Sequence, residues 1–183
     1  MTLVLGACVG DSVVLGADSK TQVYTIDASN GAIVKTASMI DRKLFKLTRV
    51  GIATYGSGPP NVRVPKVIAD DLQSEWSVRE VIAFLQDHFR GADDMRALVG
   101  GLDDHDTPAL FDGCMSGASP QKIVSGIGGP LPLVLRGVQN AQLEQRVPGT
   151  SASVITQMLE LLTATAGSNV GPPFEFLVIS RAV

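Results

Sequence analysis

Apolar residues open the chain in two short runs, residues 2–7 and 12–17, separated by the turn-like Cys8-Val9-Gly10-Asp11. Short apolar runs bounded by turn residues read as a β-hairpin. With Val9-Gly10 as the turn, opposing residue numbers sum to nineteen, which sets position 2 opposite Ala17 and diagonally beside Asp18. A second hairpin is predicted over residues 21–36, where Asn30-Gly31 supplies the turn signal. Two further strands follow near residues 43–47 and 50–55.

The pattern then turns helical. Residues 60–72 carry Val64, Val67, Ile68 and Leu72 at helical spacing. Ser77-Val78-Arg79-Glu80 is a capping box, in which Ser77 can accept from the first turn and Glu80 can reach back. Behind it Val78, Val81, Ile82, Leu85 and Phe89 form one apolar face, and Gly91 suits the stop. Strands return at residues 96–102, 109–112 and about 122–124. A Leu- and Val-rich helix is predicted after Gly129, and another over residues 151–165 with Val154, Ile155, Met158, Leu159 and Leu162 as its face. Residues 174–179 close the chain as a buried strand. This order predicts one domain over residues 1–183, of layered α+β class with sheets in the middle.

Composition narrows the function. The 183 residues are 45% hydrophobic and 18% charged, with a formal net charge of −3. Soluble domains average about 25% charged residues, so the shortfall calls for a large core or for surface covered by something else. A disordered segment is excluded. A slightly acidic chain without a basic stripe argues against nucleic acid as a partner. No apolar run approaches the roughly 20 residues that span a bilayer. The apolar N-terminus lacks a basic flank and is interrupted by Asp11, so no signal peptide is read there and a cytoplasmic location is expected. Cys8 and Cys114 show no CxxC or Cys/His spacing and are read as reduced thiols. Asp103-Asp104-His105-Asp106 is read as a solvated turn rather than a metal site, and His88 and His105 as structural or exposed. No GxxxxGK[ST], G-x-S-x-G or HExxH occurs. No metal or cofactor is expected.

Candidate chemistry gathers at the N-terminus. Removal of Met1 would give Thr2 a free α-amine, which titrates near 7.7–8.0 and can act as a base beside its own hydroxyl. The first hairpin brings the Asp18 carboxylate near that end. A carboxylate buried there needs a cation. Lys43 is the candidate, with Arg42 and Lys46 close in sequence.

At these residues the chain resembles the proteasome β-type subunits, which are N-terminal-nucleophile hydrolases. Thr2-Leu3-Val4-Leu5 and Val13-Val14-Leu15-Gly16-Ala17-Asp18-Ser19 are similar to the family's opening. Arg42-Lys43-Leu44-Phe45-Lys46-Leu47 and Gly51-Ile52-Ala53-Thr54-Tyr55-Gly56-Ser57-Gly58 resemble its lysine strand and glycine turn. Ala97-Leu98-Val99-Gly100-Gly101-Leu102-Asp103, Pro108-Ala109-Leu110-Phe111 and Gly126-Ile127-Gly128-Gly129-Pro130 resemble later segments.

The resemblance implies a four-layer αββα sandwich with the site at the sheet edges. It implies Thr2 as nucleophile, Asp18 as acidic partner, Lys43 as the lysine that lowers the amine's proton affinity, and the Gly56 N–H as oxyanion donor. Thr54 and Phe45 would lie near the specificity pocket. Departures from the pattern are Ile127 in place of the family's serine (Ser125 lies two residues earlier), Ser168 and Gly171 at its later Asp and Ser, and a longer segment over residues 22–41. Those losses imply a weakened activity.

The expected function is a threonine-type endopeptidase, active after loss of Met1 alone. It would self-associate into two stacked rings, heptameric or hexameric as in simple bacterial members, and act on unfolded polypeptides, with or without an unfoldase. The alternatives are a non-catalytic ring subunit, and an N-terminal-nucleophile amidase acting on small amides without a ring.

Overall fold

In the computed structural model, the first two strands are buried along almost their whole length, as strands covered on both faces are. These are Leu3–Val9 (β1) and Ser12–Asp18 (β2). The structure describes residues 3–56, 72–90, 95–112, 121–123, 131–137, 143–147, 150–167 and 170–181.

The β1–β2 register corrects the expected one. Val4 lies opposite Ala17 and Val9 opposite Ser12, so opposing numbers sum to twenty-one and the turn is Gly10-Asp11. Gly10 supplies the positive φ of 55° that the tight turn requires. A shift of two residues preserves which side chains face the core, so the buried pattern alone could not distinguish the registers.

Among the described residues, ten strands form two five-stranded antiparallel sheets. The first has the order β11-β10-β1-β2-β12, with β10 at Leu131–Gly137, β11 at Leu143–Val147 and β12 at Phe174–Ser180. The second has the order β5-β6-β7-β8-β9. Its strands are Leu44–Lys46 (β5), Val50–Gly56 (β6), Met95–Leu102 (β7), Pro108–Asp112 (β8) and Gln121–Ile123 (β9). Val4, Val13, Leu15 and Ala17 of one sheet pack against Leu44, Ala53, Leu98 and Leu110 of the other. The sheets approach closely at Gly100, where a Cβ would stand 2.5 Å from Val13 Cγ1.

Two helices are present among the described residues. Val78–His88 (α1) buries Val78, Val81, Ile82 and Leu85, with Phe89 just beyond, against Ile52, Ala97 and Val99 of the second sheet. The Glu80 carboxylate accepts the Ser77 N–H at 2.7 Å, closing the expected reach-back. Ser151–Ala164 (α2) buries Val154, Met158 and Leu162 against Leu3, Leu5 and Val14 of the first sheet. Leu159, expected on that face, is exposed. Neither helix is long and apolar enough to cross a membrane.

The four-layer αββα sandwich is therefore corrected. Among the described residues regular structure is mostly antiparallel β, and each outer sheet face carries one helix there instead of a layer. Five strands at about 4.8 Å spacing span roughly twice the width of one helix. Part of the difference lies after Gly129, where the expected helix is β10. Leu131, Leu133 and Leu135 alternate with period two, and pairing to β1 on one side and β11 on the other makes the segment a strand. The closing strand is also less buried than expected: β12 is an edge whose only buried residue is Ile179. The predicted helix over residues 60–72 lies outside the described residues except at Leu72.

The second expected hairpin is longer than predicted. Lys20–Ile26 (β3) and Ile33–Ile40 (β4) form a separate two-stranded ribbon, with an irregularity between Val23 and Tyr24. Ile26, Val34, Met39 and Ile40 on this ribbon are exposed. Residues 103–106 form the expected turn between β7 and β8. Asp103 Oδ1 accepts the N–H groups of His105 and Thr107, and Asp106 pairs with Arg49.

Candidate active site

Antiparallel pairing sets the start of β1 beside the end of β2, and Asp18 is the last residue of β2. Its carboxylate has no exposed surface. Oδ1 accepts the Leu3 N–H at 2.7 Å and the Lys43 ammonium at 3.0 Å, and Oδ2 accepts the Lys20 N–H at 3.2 Å. Three donors, one of them charged, offset the desolvation of a buried carboxylate.

Lys43 immediately precedes β5 and reaches across from the second sheet to the first. It is 4% exposed, and its ammonium also donates to the Lys20 carbonyl at 2.7 Å. Burial pushes this ammonium below its ordinary 10.5, while the charge and hydrogen bond of Asp18 oppose the shift. Arg42 is turned elsewhere: its Nε donates to the Leu44 carbonyl and its guanidinium stands over the Phe45 ring. The cation beside Asp18 is thus Lys43.

Thr54 is buried and adjoins Lys43 through the backbone, donating its N–H to the Lys43 carbonyl at 3.0 Å. That bond fixes the parity of β6. Even-numbered residues direct their N–H groups toward β5, so the N–H of Gly56 points to the same side, two residues beyond Thr54. No β5 residue stands opposite Gly56, because β5 begins at Leu44, opposite Ala53.

Phe45 lies opposite Ile52 and packs in the core beneath α1. Strand alternation places it on the face of the second sheet that Thr54 shares. A cavity of about 310 Å³ opens between the edge strands β5 and β12, lined by Arg42, Leu44, Lys46, Glu175, Phe176 and Leu177. It touches none of Asp18, Lys43 and Thr54. Thr2, Ser125, Ile127 and Ser168 lie outside the described residues. Gly171 is buried, and a Cβ there would meet Lys20 Cδ at 3.1 Å.

Lys20 was not anticipated. Its N–H holds Asp18, its carbonyl holds Lys43, and its ammonium donates to the Gly167 carbonyl at 3.0 Å. Its first two roles belong to the backbone and leave no mark in residue type. The available signal was position alone, two residues after Asp18 where the chain leaves β2.

The geometry offers a buried ion pair gripping the peptide N–H that follows residue 2, and a backbone donor on the same side. No family model matches the chain, and no match was found among curated proteins. Among solved structures it is similar to an Anbu (Gly-1) mutant from Hyphomicrobium sp. strain MC1. That match has a TM-score of 0.64 and 14% identity over 99% of this chain and 82% of the other. It is also similar to Thiobacillus denitrificans BPH, with a TM-score of 0.62 and 13% identity over 99% of both chains. At these identities the likeness shows the fold alone. The assignment to the proteasome β-type subunits is thereby corrected. No model of that family matches, and the similar structures are Anbu and BPH at low identity.

Proposed function

We propose that this chain is an N-terminal-nucleophile hydrolase in which Thr2, freed by removal of Met1, cleaves peptide bonds. The observation that carries the proposal is the buried Lys43–Asp18 pair bonded to the Leu3 N–H, the first peptide unit after Thr2. Such a pair is costly to bury, and a packed apolar pair would serve stability as well. A role in chemistry at the adjoining residue accounts for it. The fold shared with Anbu is consistent with a hydrolase.

In the proposed reaction the Thr2 α-amine takes the proton of the Thr2 hydroxyl as Oγ attacks the substrate carbonyl. Negative charge develops on the carbonyl oxygen and is met by the Gly56 N–H. The C–N bond breaks, the leaving amine takes the proton, and an ester to Thr2 remains. Water, deprotonated by the amine, hydrolyses that ester and restores the hydroxyl. A buried Lys43 ammonium disfavours a second positive charge nearby, so it keeps the α-amine neutral and usable as base.

An epoxyketone tests this, because the warhead requires both hydroxyl and free amine of an N-terminal threonine. A covalent adduct at Thr2, abolished by Thr2→Ala, is expected. Intact mass with Met1 retained and no adduct would refute the proposal.

We also propose self-association. The β3–β4 ribbon carries Ile26, Val34, Met39 and Ile40 exposed, and isolated two-stranded ribbons are marginally stable in water. Covering the ribbon with other copies of the chain would bury these residues. A mass of about 19.2 kDa in solution, that of one chain, would refute it.

A further inference from the structure

We propose that Tyr55 and Asp112 form a positioning pair that aims the Gly56 N–H at the reacting carbonyl. The inference deepens the hydrolase proposal and rests on it.

The layer between the two sheets is apolar at Val4, Leu15, Ala17, Leu98 and Leu110. Into it project a phenol and a carboxylate, Tyr55 at 3% exposure and Asp112 at 9%. The Tyr55 hydroxyl donates to Asp112 Oδ1. Tyr55 belongs to β6 and Asp112 to β8, with β7 between them, so the bond spans the central strand of the sheet. Burying two polar groups in an apolar layer gains little stability over a hydrophobic pair of the same shape. What it adds is direction, since a hydrogen bond fixes where a ring points.

The direction falls on the peptide unit of interest. The carbonyl of Tyr55 and the N–H of Gly56 share one rigid plane. Tyr55 is opposite Arg96 of β7, and the β6 parity turns its carbonyl toward that strand. The Gly56 N–H on the far side of the same plane therefore faces the Lys43 side. One residue earlier, Thr54 is tied to the Lys43 carbonyl. The two residues before Gly56 are held from opposite sides, Thr54 to the chain entering β5 and Tyr55 to β8. Glycine at position 56 adds no side chain of its own to hold the plane, so the hold must come from its neighbours.

Tyr55→Phe removes the hydroxyl and keeps the ring. Removal of an oxyanion donor costs about 10²–10³ in kcat; a donor left present but loosely aimed loses less. The expected result is a fall of about tenfold or more in kcat for peptide hydrolysis, with KM unchanged within about twofold. Asp112→Asn keeps an acceptor oxygen and retains most of kcat, whereas Asp112→Leu behaves like Tyr55→Phe. The ¹⁵N order parameter of Gly56 is read in parallel and should fall from the rigid range of about 0.85 in Tyr55→Phe, with Val50 and Ile52 unchanged.

An unchanged Gly56 order parameter in Tyr55→Phe overturns the proposal. So does a Tyr55→Phe kcat equal to wild type, or a loss in Asp112→Asn as large as in Asp112→Leu. If the wild-type protein hydrolyses no peptide and takes no epoxyketone at Thr2, the hydrolase proposal fails. The order parameter then decides alone whether Tyr55 and Asp112 hold the Gly56 plane.

Discussion

Asp18→Asn removes one charge from a pair that has almost no contact with water. In the native protein the carboxylate accepts from Leu3, Lys20 and Lys43. After substitution the Lys43 ammonium keeps the Lys20 carbonyl at 2.7 Å and loses its counter-charge. Breaking a buried pair by removing one partner costs about 3–5 kcal/mol. The ammonium has an escape, which is to release its proton on folding. From an ordinary value of 10.5, that release costs about 5 kcal/mol at pH 7, at about 1.4 kcal/mol per pH unit. It therefore caps the charge penalty, and the two figures meet. A domain has only about 5–15 kcal/mol of stability to lose from.

The cap gives the substitution a pH signature. In the variant the unfolded chain binds a proton at Lys43 that the folded chain has released. Stability therefore rises with pH, by about 1.4 kcal/mol per unit until the ordinary lysine value is reached. Urea unfolding at pH 7 and pH 9, followed by far-UV circular dichroism, reads this directly. The deficit against wild type should be about 3–5 kcal/mol at pH 7 and about 2 kcal/mol at pH 9. Asp11→Asn, at an exposed turn position, serves as control and should change stability by less than about 0.5 kcal/mol. A deficit equal at both pH values, or one below about 1 kcal/mol at pH 7, would refute the account of Asp18 and Lys43 as a mutually dependent buried pair.

Four further outcomes are expected. The double variant Asp18→Asn with Lys43→Met should be more stable than Asp18→Asn alone at pH 7, because it removes the stranded charge; equal or lower stability would contradict this. Lys43→Met should move the acidic limb of the peptide-hydrolysis rate profile to higher pH, because without the nearby ammonium the α-amine holds its proton longer; an unmoved limb counts against Lys43. Gly101→Ala should lower stability by about 3 kcal/mol or more, since its Cβ would stand 2.2 Å from the Arg49 carbonyl oxygen, an atom of the backbone; a near-normal melting temperature would show that β6 and β7 are less closely apposed. Ile26→Lys with Ile40→Lys should shift the protein toward single chains in sedimentation without lowering its melting temperature, and an unchanged sedimentation profile would exclude the ribbon as the interface.

Legibility in the sequence followed the range of the interaction. The helix face of Val78, Val81, Ile82, Leu85 and Phe89 was readable because helical periodicity is local, and all five are buried. The strands β1, β2, β6, β7 and β8 were readable because apolar runs and turn residues bound them. The segment after Gly129 was misread because a short Leu- and Val-rich run suits a helix or a strand, and its pairing partners lie more than a hundred residues away in β1. The β1–β2 register was off by two because both registers bury the same residues.

What the sequence determined alone was the supply of chemistry: a threonine after Met1, an aspartate closing the second apolar run, and a lysine opening a later one. It also determined the low charge, 18% against about 25% in typical domains. The two facing sheets account for part of that shortfall as core, and the exposed apolar ribbon is where the rest is visible. The tertiary structure decided which cation meets Asp18. Arg42, Lys43 and Lys46 are equivalent by spacing, but only the side chain of Lys43 crosses between the sheets to Asp18, while Arg42 lies over Phe45. It also recruited the Lys20 backbone and joined Tyr55 to Asp112 across β7. Those contacts come from strand order and sheet-on-sheet packing, which bring distant segments together and leave no periodic trace along the chain.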